Sequence, residues 1–433
     1  MVYRHPLPVL EVQWRQLQRK PLHTAAGSQH ASCHRRSTRL AAAPWFWALV
    51  GPAPPLRVHT LLLPPVAISG NHSSSSLRYV HIPALLLPPV YFCGLLVALW
   101  VWKCMMLVVF QNKIIYMPGL PPNARSERIA DYANLCGGIQ WTDERTRAAD
   151  GTDLAMAVTT VPLSQRESHL PNGSTNGEKA APAHVYILYF QGNASSIPPR
   201  LRDLSFVLRA VSDSKAPNLA HVQLTFVCLS YRGYWTSRGR PSEKGLGLDA
   251  EAGVQWIAQR HEQMYGGDDK SLVPTLLVWG QSIGSGIATN LAAASGRTPS
   301  AMPIRGLILE TPFLSVRAML ETLYPQKWLP YKHLWPFLRN HMDSWANLGM
   351  IADLSKKTGQ AAPGIYILEA ARDELVPKEQ GEKLYQRCID LSLHVEKATV
   401  PVAYHSEAIA RGDGKKLAAQ AILQLTQRAL NSG

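Results

Sequence analysis

The sequence predicts an α/β protein: a mostly parallel central sheet with helices on both faces, carrying an inserted helical cap and preceded by one transmembrane helix. Three observations predict it. Short apolar runs alternate with helical patterns from about residue 184 to the C-terminus. One of these runs passes through a glycine-flanked serine directly into a helical pattern. Far upstream, residues 84–102 contain no charged side chain. With 433 residues, 46% of them hydrophobic, the chain has ample material for a core, which excludes global disorder.

The strand-like runs are His184–Phe190, Val222–Tyr231, Thr275–Gly280, Ile304–Phe313, Ile365–Ala370 and Leu393–Val400. Helical patterns lie at 201–213, 247–265, 283–294, 378–391 and 414–429. Strands this short and apolar, separated by helices, belong in a parallel sheet covered on both faces. Ahead of them, Gly138–Thr160 reads as a hairpin turning at Asp150-Gly151-Thr152-Asp153, and 162–182 is a polar Gly/Ser/Asn-containing surface loop. The segment 314–355 breaks the rhythm. It is long and rich in aromatics (Tyr324, Trp328, Tyr331, Trp335, Phe337, Trp345) and reads as a cap inserted in the sheet rather than a crossover.

The net charge of +14 invites a nucleic-acid or anionic-membrane partner. Its distribution decides the matter. Residues 1–80 hold nine basic residues and one acid, a net +8, which leaves +6 for all the rest. A nucleic-acid binder needs a basic stripe on its folded domain, and this body offers no Arg-rich motif. The chain divides into a basic N-terminal arm (1–83), an apolar segment (84–110) and an α/β body (111–433). The first 45 residues fit a transit peptide, and an unstructured arm or a misplaced start fits as well. About 20 apolar residues span a bilayer as a helix, with Pro88-Pro89 a natural start and Val90–Phe110 the span. Lys103, within two turns of the end, snorkels to the interface. Basic residues flank both ends (Arg78; Lys103 and Lys113), so charge sets no orientation. The six cysteines show neither CxxC nor zinc spacing and read as small hydrophobes. No histidine spacing implies a metal, and no cofactor is implied.

The serine sits in Gly280-Gln281-Ser282-Ile283-Gly284, preceded by the buried-strand run Thr275–Trp279 and followed by a helix. A strand-to-helix turn holds such a serine in a strained conformation, and residues two before and two after must be small, as Gly280 and Gly284 are. A serine nucleophile needs a base, and the base an orienting acid, in the chain order Ser, acid, His. Asp373 lies in the loop after the run Ile365–Ala370, with Glu374 and Glu369 as lesser candidates. His405, the final histidine, follows the last strand run. An oxyanion hole needs two backbone N–H donors: Ile283, directly after the serine, and Asn193, in the turn Gln191-Gly192-Asn193 after the first long strand.

With those residues in view, the chain from about Gln111 onward resembles the α/β-hydrolase superfamily. More narrowly, it looks like the single-pass membrane α/β-hydrolase-domain proteins that hydrolyse lysophospholipids and monoacylglycerols. The stretches that carry the resemblance are Phe190–Ala194, Tyr231–Tyr234 with Ser237, Pro241–Glu243, Asp249-Ala250, Trp279–Leu291, Leu307–Phe313, Asp373–Pro377 and Tyr404–Ser406. Gln191 stands where the family usually has His. The resemblance implies an α/β-hydrolase fold and a membrane-anchored serine hydrolase that cleaves a lipid ester through Ser282, His405 and Asp373. It favours an endomembrane such as the endoplasmic reticulum. Aromatics of the cap are candidates for an acyl pocket, and Arg317, Lys327, Lys332 and Arg339 for an anionic headgroup; packing and solvated faces explain both sets equally well. A protein acyl-thioesterase, a serine peptidase and an inactive membrane scaffold are the alternatives. Glycosylation sequons begin at Asn71, Asn172 and Asn193; the last lies in the catalytic loop and is expected to stay unmodified.

Overall fold

The computed structural model describes residues 83–163, 183–214, 216–219, 222–266, 274–295, 302–326 and 330–431. The basic arm through residue 82, nearly all of the 162–182 loop, Lys327 and Trp328 of the cap, Cys33, and the sequons at Asn71 and Asn172 lie outside the described residues. The chain divides into two compact units, Met1–Gly94 and Leu95–Gly433.

Helix α1, Leu87–Val109, takes Pro88 and Pro89 into its first turn, where their missing N–H groups cost nothing. With the 3-10 turn ahead of it, it makes a stretch Ala84–Val109 of 26 residues and mean hydropathy 2.2, with its most apolar window wholly unburied. Among the described residues this is the one helix long and apolar enough to cross a membrane. Its C-terminal carbonyls are capped from a distance. Gln111 Nε2 donates to Val108 O at 2.9 Å, and Arg339 Nη2 donates to Val108 O and Val109 O at 3.1 and 3.0 Å. A short helix α2, Gln111–Tyr116, follows.

The sheet has eight strands: β1 Thr142–Arg147, β2 Asp153–Pro162, β3 His184–Phe190, β4 Gln223–Leu229, β5 Thr275–Gln281, β6 Ile304–Glu310, β7 Gly364–Ala370 and β8 Val395–Val400. Their order is β1-β2-β4-β3-β5-β6-β7-β8. β1 and β2 pair antiparallel, as does β2 with β4, and all other neighbours are parallel. The predicted hairpin is β1–β2, closed by the Ala148 N–H on Thr152 O at 2.9 Å. The helices that return the chain are α3 Ile197–Ser212, α4 Glu243–Tyr265, α5 Ile283–Ala294, α6 Val316–Leu323, α7 Ser344–Thr358, α8 Lys378–Asp390 and α9 Gly412–Asn431. This is the α/β-hydrolase topology the resemblance implied, with the six sequence-predicted strands in place: the first is unchanged, β5 and β7 are one residue longer, and β4, β6 and β8 are shorter by two or three residues.

Strand alternation divides the apolar side chains into two cores. Leu188, Phe190, Val278, Leu307 and Ile365 face α4, α5, α7 and α8, through Ile257, Ile287, Leu348 and Leu384. Ile187, Tyr189, Leu277, Trp279 and Ile308 face α3 and α9, through Leu204, Leu208, Ile422 and Leu425. Burial on both sides explains why the strands read as continuous apolar runs.

The inserted segment differs from its sequence reading in one respect. Between β6 and β7 lie α6, a 3-10 segment Pro330–Phe337, and α7. α7 buries Leu348, Ile351 and Ala352 in the same core as α5, so the last part of the expected cap is the crossover helix of the sheet. Its polar face hid this: Asn347 is buried and donates to Thr289 Oγ1 and Asn290 Oδ1. Of the cap aromatics, Tyr331 is buried against Tyr324 (ring centroids 5.1 Å) and lies under the Lys103 ammonium. Trp335, Phe337 and Trp345 are exposed, with Arg317 over Trp335 and Arg387 over Trp345. Arg317 also pairs with Glu321. Arg339 is occupied by the end of α1.

One buried charge cluster fixes the hairpin to the sheet. Arg232, just after β4, gives its backbone N–H, Nε and Nη2 to the fully buried carboxylate of Asp249 on α4 at 2.8–2.9 Å, and Nη1 to Asp150 in the hairpin turn at 2.7 Å. Hydrogen bonds from Arg232 hold the Asp150 carboxyl below the usual carboxylate range. Arg232→Met leaves the buried Asp249 without its counter-charge, with only the backbone N–H of residue 232 still donating to it. It should cost about 3–5 kcal/mol of stability, read by urea unfolding.

Candidate active site

Because β3, β5, β7 and β8 run parallel, their C-terminal ends open on one edge of the sheet, and the chemistry gathers there. β5 is buried along its whole length and runs into Ser282, whose backbone stands at φ 52°, ψ −115°. That conformation is strained for a residue with a Cβ. It is held by the Ser282 N–H on Glu310 O at 2.8 Å and by the Ser285 N–H on Ser282 O at 2.9 Å. Space around it is closed: a Cβ on Gly280 would lie 2.1 Å from Gly284 O, and one on Gly284 would lie 2.2 Å from Phe190 O. The small residues expected on both sides of the serine are therefore a steric necessity.

His405 follows β8. Its Nε2 lies 2.9 Å from Ser282 Oγ and its Nδ1 2.8 Å from Asp373 Oδ2. The other carboxylate oxygen, Oδ1, accepts the N–H groups of Leu375 and Val376 at 3.0 and 2.8 Å. All three side chains are nearly withdrawn from solvent. The structure thus brings together Ser282, Asp373 and His405 and sets aside the two lesser acids. Glu374 accepts the backbone N–H of His405 at 3.0 Å, which fixes the loop rather than the ring. Glu369 faces Thr399 and Lys397, and burial pushes its carboxyl up.

The turn after β3 is pinned on several sides. Tyr231 Oη donates to Gln191 O at 2.8 Å, and Gln191 Nε2 donates to Ala194 O at 3.3 Å. Ala194 and Ser195, both at positive φ, give their N–H groups to Tyr116 O and Leu120 O. Asn193 Nδ2 reaches Ile115 O at 3.5 Å. Gln191 therefore braces the turn from within, in the position where the family's His was expected. The Gly192 N–H is engaged by Gln281 Oε1 at 3.4 Å. The N–H groups of Asn193 and Ile283 have no acceptor among the described residues, which leaves these two as free donors beside the serine.

Sequence reasoning missed the layer beneath. Arg200, in the first turn of α3, donates through Nε to Tyr189 Oη (3.2 Å), through Nη1 to Ser406 O (3.2 Å) and through Nη2 to Glu310 Oε1 (2.5 Å). Glu310 is fully buried at the end of β6, and its Oε2 accepts from Trp279 Nε1 at 3.1 Å. Tyr189 Oη donates in turn to Gln281 Oε1 at 3.3 Å. Burial pulls Arg200 toward its neutral form, and the Glu310 carboxylate more than offsets it. The one sequence signal was a glutamate closing an otherwise apolar strand, Leu307-Ile308-Leu309-Glu310.

Among curated proteins, the chain is 31% identical over 231 residues to the lysophosphatidylserine lipase ABHD12 of Danio rerio, covering 52% of this chain and 53% of that one. It is 30% identical over 158 residues to the Homo sapiens protein ABHD12B, covering 36% and 40%. The chain spans about half the length of the curated relatives it matches. A solved α/β hydrolase from Vibrio vulnificus aligns with 74% of this chain and 92% of that one, at 18% identity and a TM-score of 0.47. No family model matches the chain.

Gly284→Ala drives a methyl group into the Phe190 carbonyl. It should cost about 1–3 kcal/mol or more and move Ser282 off His405. A lowered melting temperature together with slower labelling by a fluorophosphonate probe is the expected result.

Proposed function

We propose that this member of the α/β-hydrolase superfamily, of the ABHD type, is a membrane-associated serine hydrolase that cleaves carboxylic esters of lipids. The observation that carries the reading is the strained serine at φ 52° with an imidazole nitrogen 2.9 Å from its Oγ and an acid on the far side of the ring. Ser282 Oγ attacks the ester carbonyl carbon while His405 Nε2 takes its proton. Asp373 holds the tautomer that keeps the proton on Nδ1 and stabilises the imidazolium. The Asn193 and Ile283 N–H groups receive the oxyanion. The tetrahedral intermediate collapses, His405 returns the proton to the leaving alcohol, and an acyl-Ser282 remains. A water that gives its proton to His405 attacks the acyl carbon, and the fatty acid departs as Ser282 recovers its hydrogen.

Lysophospholipids are the favoured substrates. Support comes from the lysophosphatidylserine lipases among the relatives and from the apolar helix α1, which would hold the site beside its substrate. We read α1 as a single span, in the endoplasmic reticulum by preference, with the body beginning where α1 ends. If that body is lumenal, Asn172 carries glycan: glycosidase treatment should then shift the protein on a gel, and Asn172→Gln should remove the shift.

Ser282→Ala should abolish both fluorophosphonate labelling and turnover of lysophosphatidylserine in detergent. Asp373→Asn, which holds the ring in the wrong tautomer, should lower kcat by about ten-thousand-fold. Labelling that survives Ser282→Ala would remove the assignment.

A further inference from the structure

A largely buried arginine is costly, and the chain places one, with 13% of its side chain exposed, at the back of the site where no step of ester hydrolysis uses it. Three segments meet on its guanidinium. Nη1 holds the carbonyl of Ser406, the neighbour of the base. Nε holds Tyr189, the penultimate residue of the strand that leads into the Gln191–Asn193 turn. Nη2 holds Glu310, whose backbone oxygen receives the N–H of Ser282. From Tyr189 the chain of hydrogen bonds continues to Gln281 Oε1, which also accepts the Gly192 N–H. The base loop, the serine elbow and the oxyanion turn are thus tied to one rigid fork.

We propose that Arg200, neutralised by Glu310, is a positioning residue that holds His405, Ser282 and the Asn193 donor in mutual register. The inference rests on the hydrolase reading. It also assigns a job to Gln281, the variable residue before the serine: its amide oxygen bridges the elbow to the oxyanion turn. A five-donor planar group is what the geometry needs. A lysine ammonium also has three N–H donors, but they radiate from one nitrogen and cannot reach a phenol, a carbonyl and an acid that here bond three separate nitrogens of the fork.

The test separates positioning from folding. Single variants at either partner strand a buried charge and lose stability. The double variant Arg200→Met with Glu310→Leu strands none, so its melting temperature should lie close to that of the parent protein. Its kcat on a soluble p-nitrophenyl ester should nonetheless be about 10–100-fold lower, since a displacement of about 1 Å costs this much, with KM within about twofold. Arg200→Lys should restore the melting temperature of a single variant but not its kcat. A stable double variant with parental kcat overturns the proposal. If the double variant does not fold, Tyr189→Phe, which deletes one hydroxyl, decides in the same way: kcat reduced with KM unchanged supports the linkage, and parental kcat overturns it. Ser282→Ala run in parallel keeps the two readings apart, because turnover that survives there sinks the hydrolase reading itself rather than the role of Arg200.

Discussion

Everything in the site is arranged around one residue held where it does not want to be. A serine at φ 52°, ψ −115° costs about 1–3 kcal/mol, and it persists because its surroundings leave no alternative. The strand before it is buried over its full length, the helix after it is packed on the sheet, and the glycines on either side are pressed against backbone carbonyls. The result is that Oγ stands at the C-terminal end of β5, 2.9 Å from the imidazole. The sheet order matters for the same reason. With β5 between β3 and β6, the Gln191–Asn193 turn follows a strand on one side of the serine, and the loops of Asp373 and His405 follow strands on the other.

A second layer of polar groups lies under the first, and its energetics run against ordinary core-building. An apolar replacement of similar volume is often as stable as a buried ion pair, or more so, yet Arg200 and Glu310 sit among Tyr189, Trp279 and the sheet. Glu127, half-buried and without an ion-pair partner among the described residues, is a milder case. It bonds Ser196 and Tyr132 while burial pushes its carboxyl up.

Ser282, Asp373 and His405, which the structure brings within hydrogen-bond reach of one another, were legible in the sequence because each sits at a grammatical boundary: a serine between glycines at a strand–helix junction, an aspartate after one strand, a histidine after the last. Gln191 was legible only as a departure from a pattern; its brace on Ala194 needed coordinates. Arg200 and Glu310 were not legible, because their contact spans 110 positions and each alone looks like a solvated charge. The long aromatic segment was misread at its end for a related reason. α7 buries asparagine and serine as well as leucine against α5, so its inward face carries too little apolar signal to mark it as a crossover helix.

The end of α1 has a bearing on where the catalytic body begins. Gln111 Oε1 accepts the Arg339 N–H and an Asn340 amide hydrogen, and Asn340 in turn bonds Asn112 and Tyr116. Tyr116 supplies the carbonyl that receives the Ala194 N–H, two bonds from the oxyanion turn. A chain severed between residues 110 and 111 would lose the Val108 and Val109 carbonyls that Gln111 and Arg339 cap, while Asn340 keeps its bonds to Gln111, Asn112 and Tyr116. The last turn of the apolar helix is therefore part of the body's own hydrogen-bond network, and a shortened chain that keeps Arg339 partnered has to retain it.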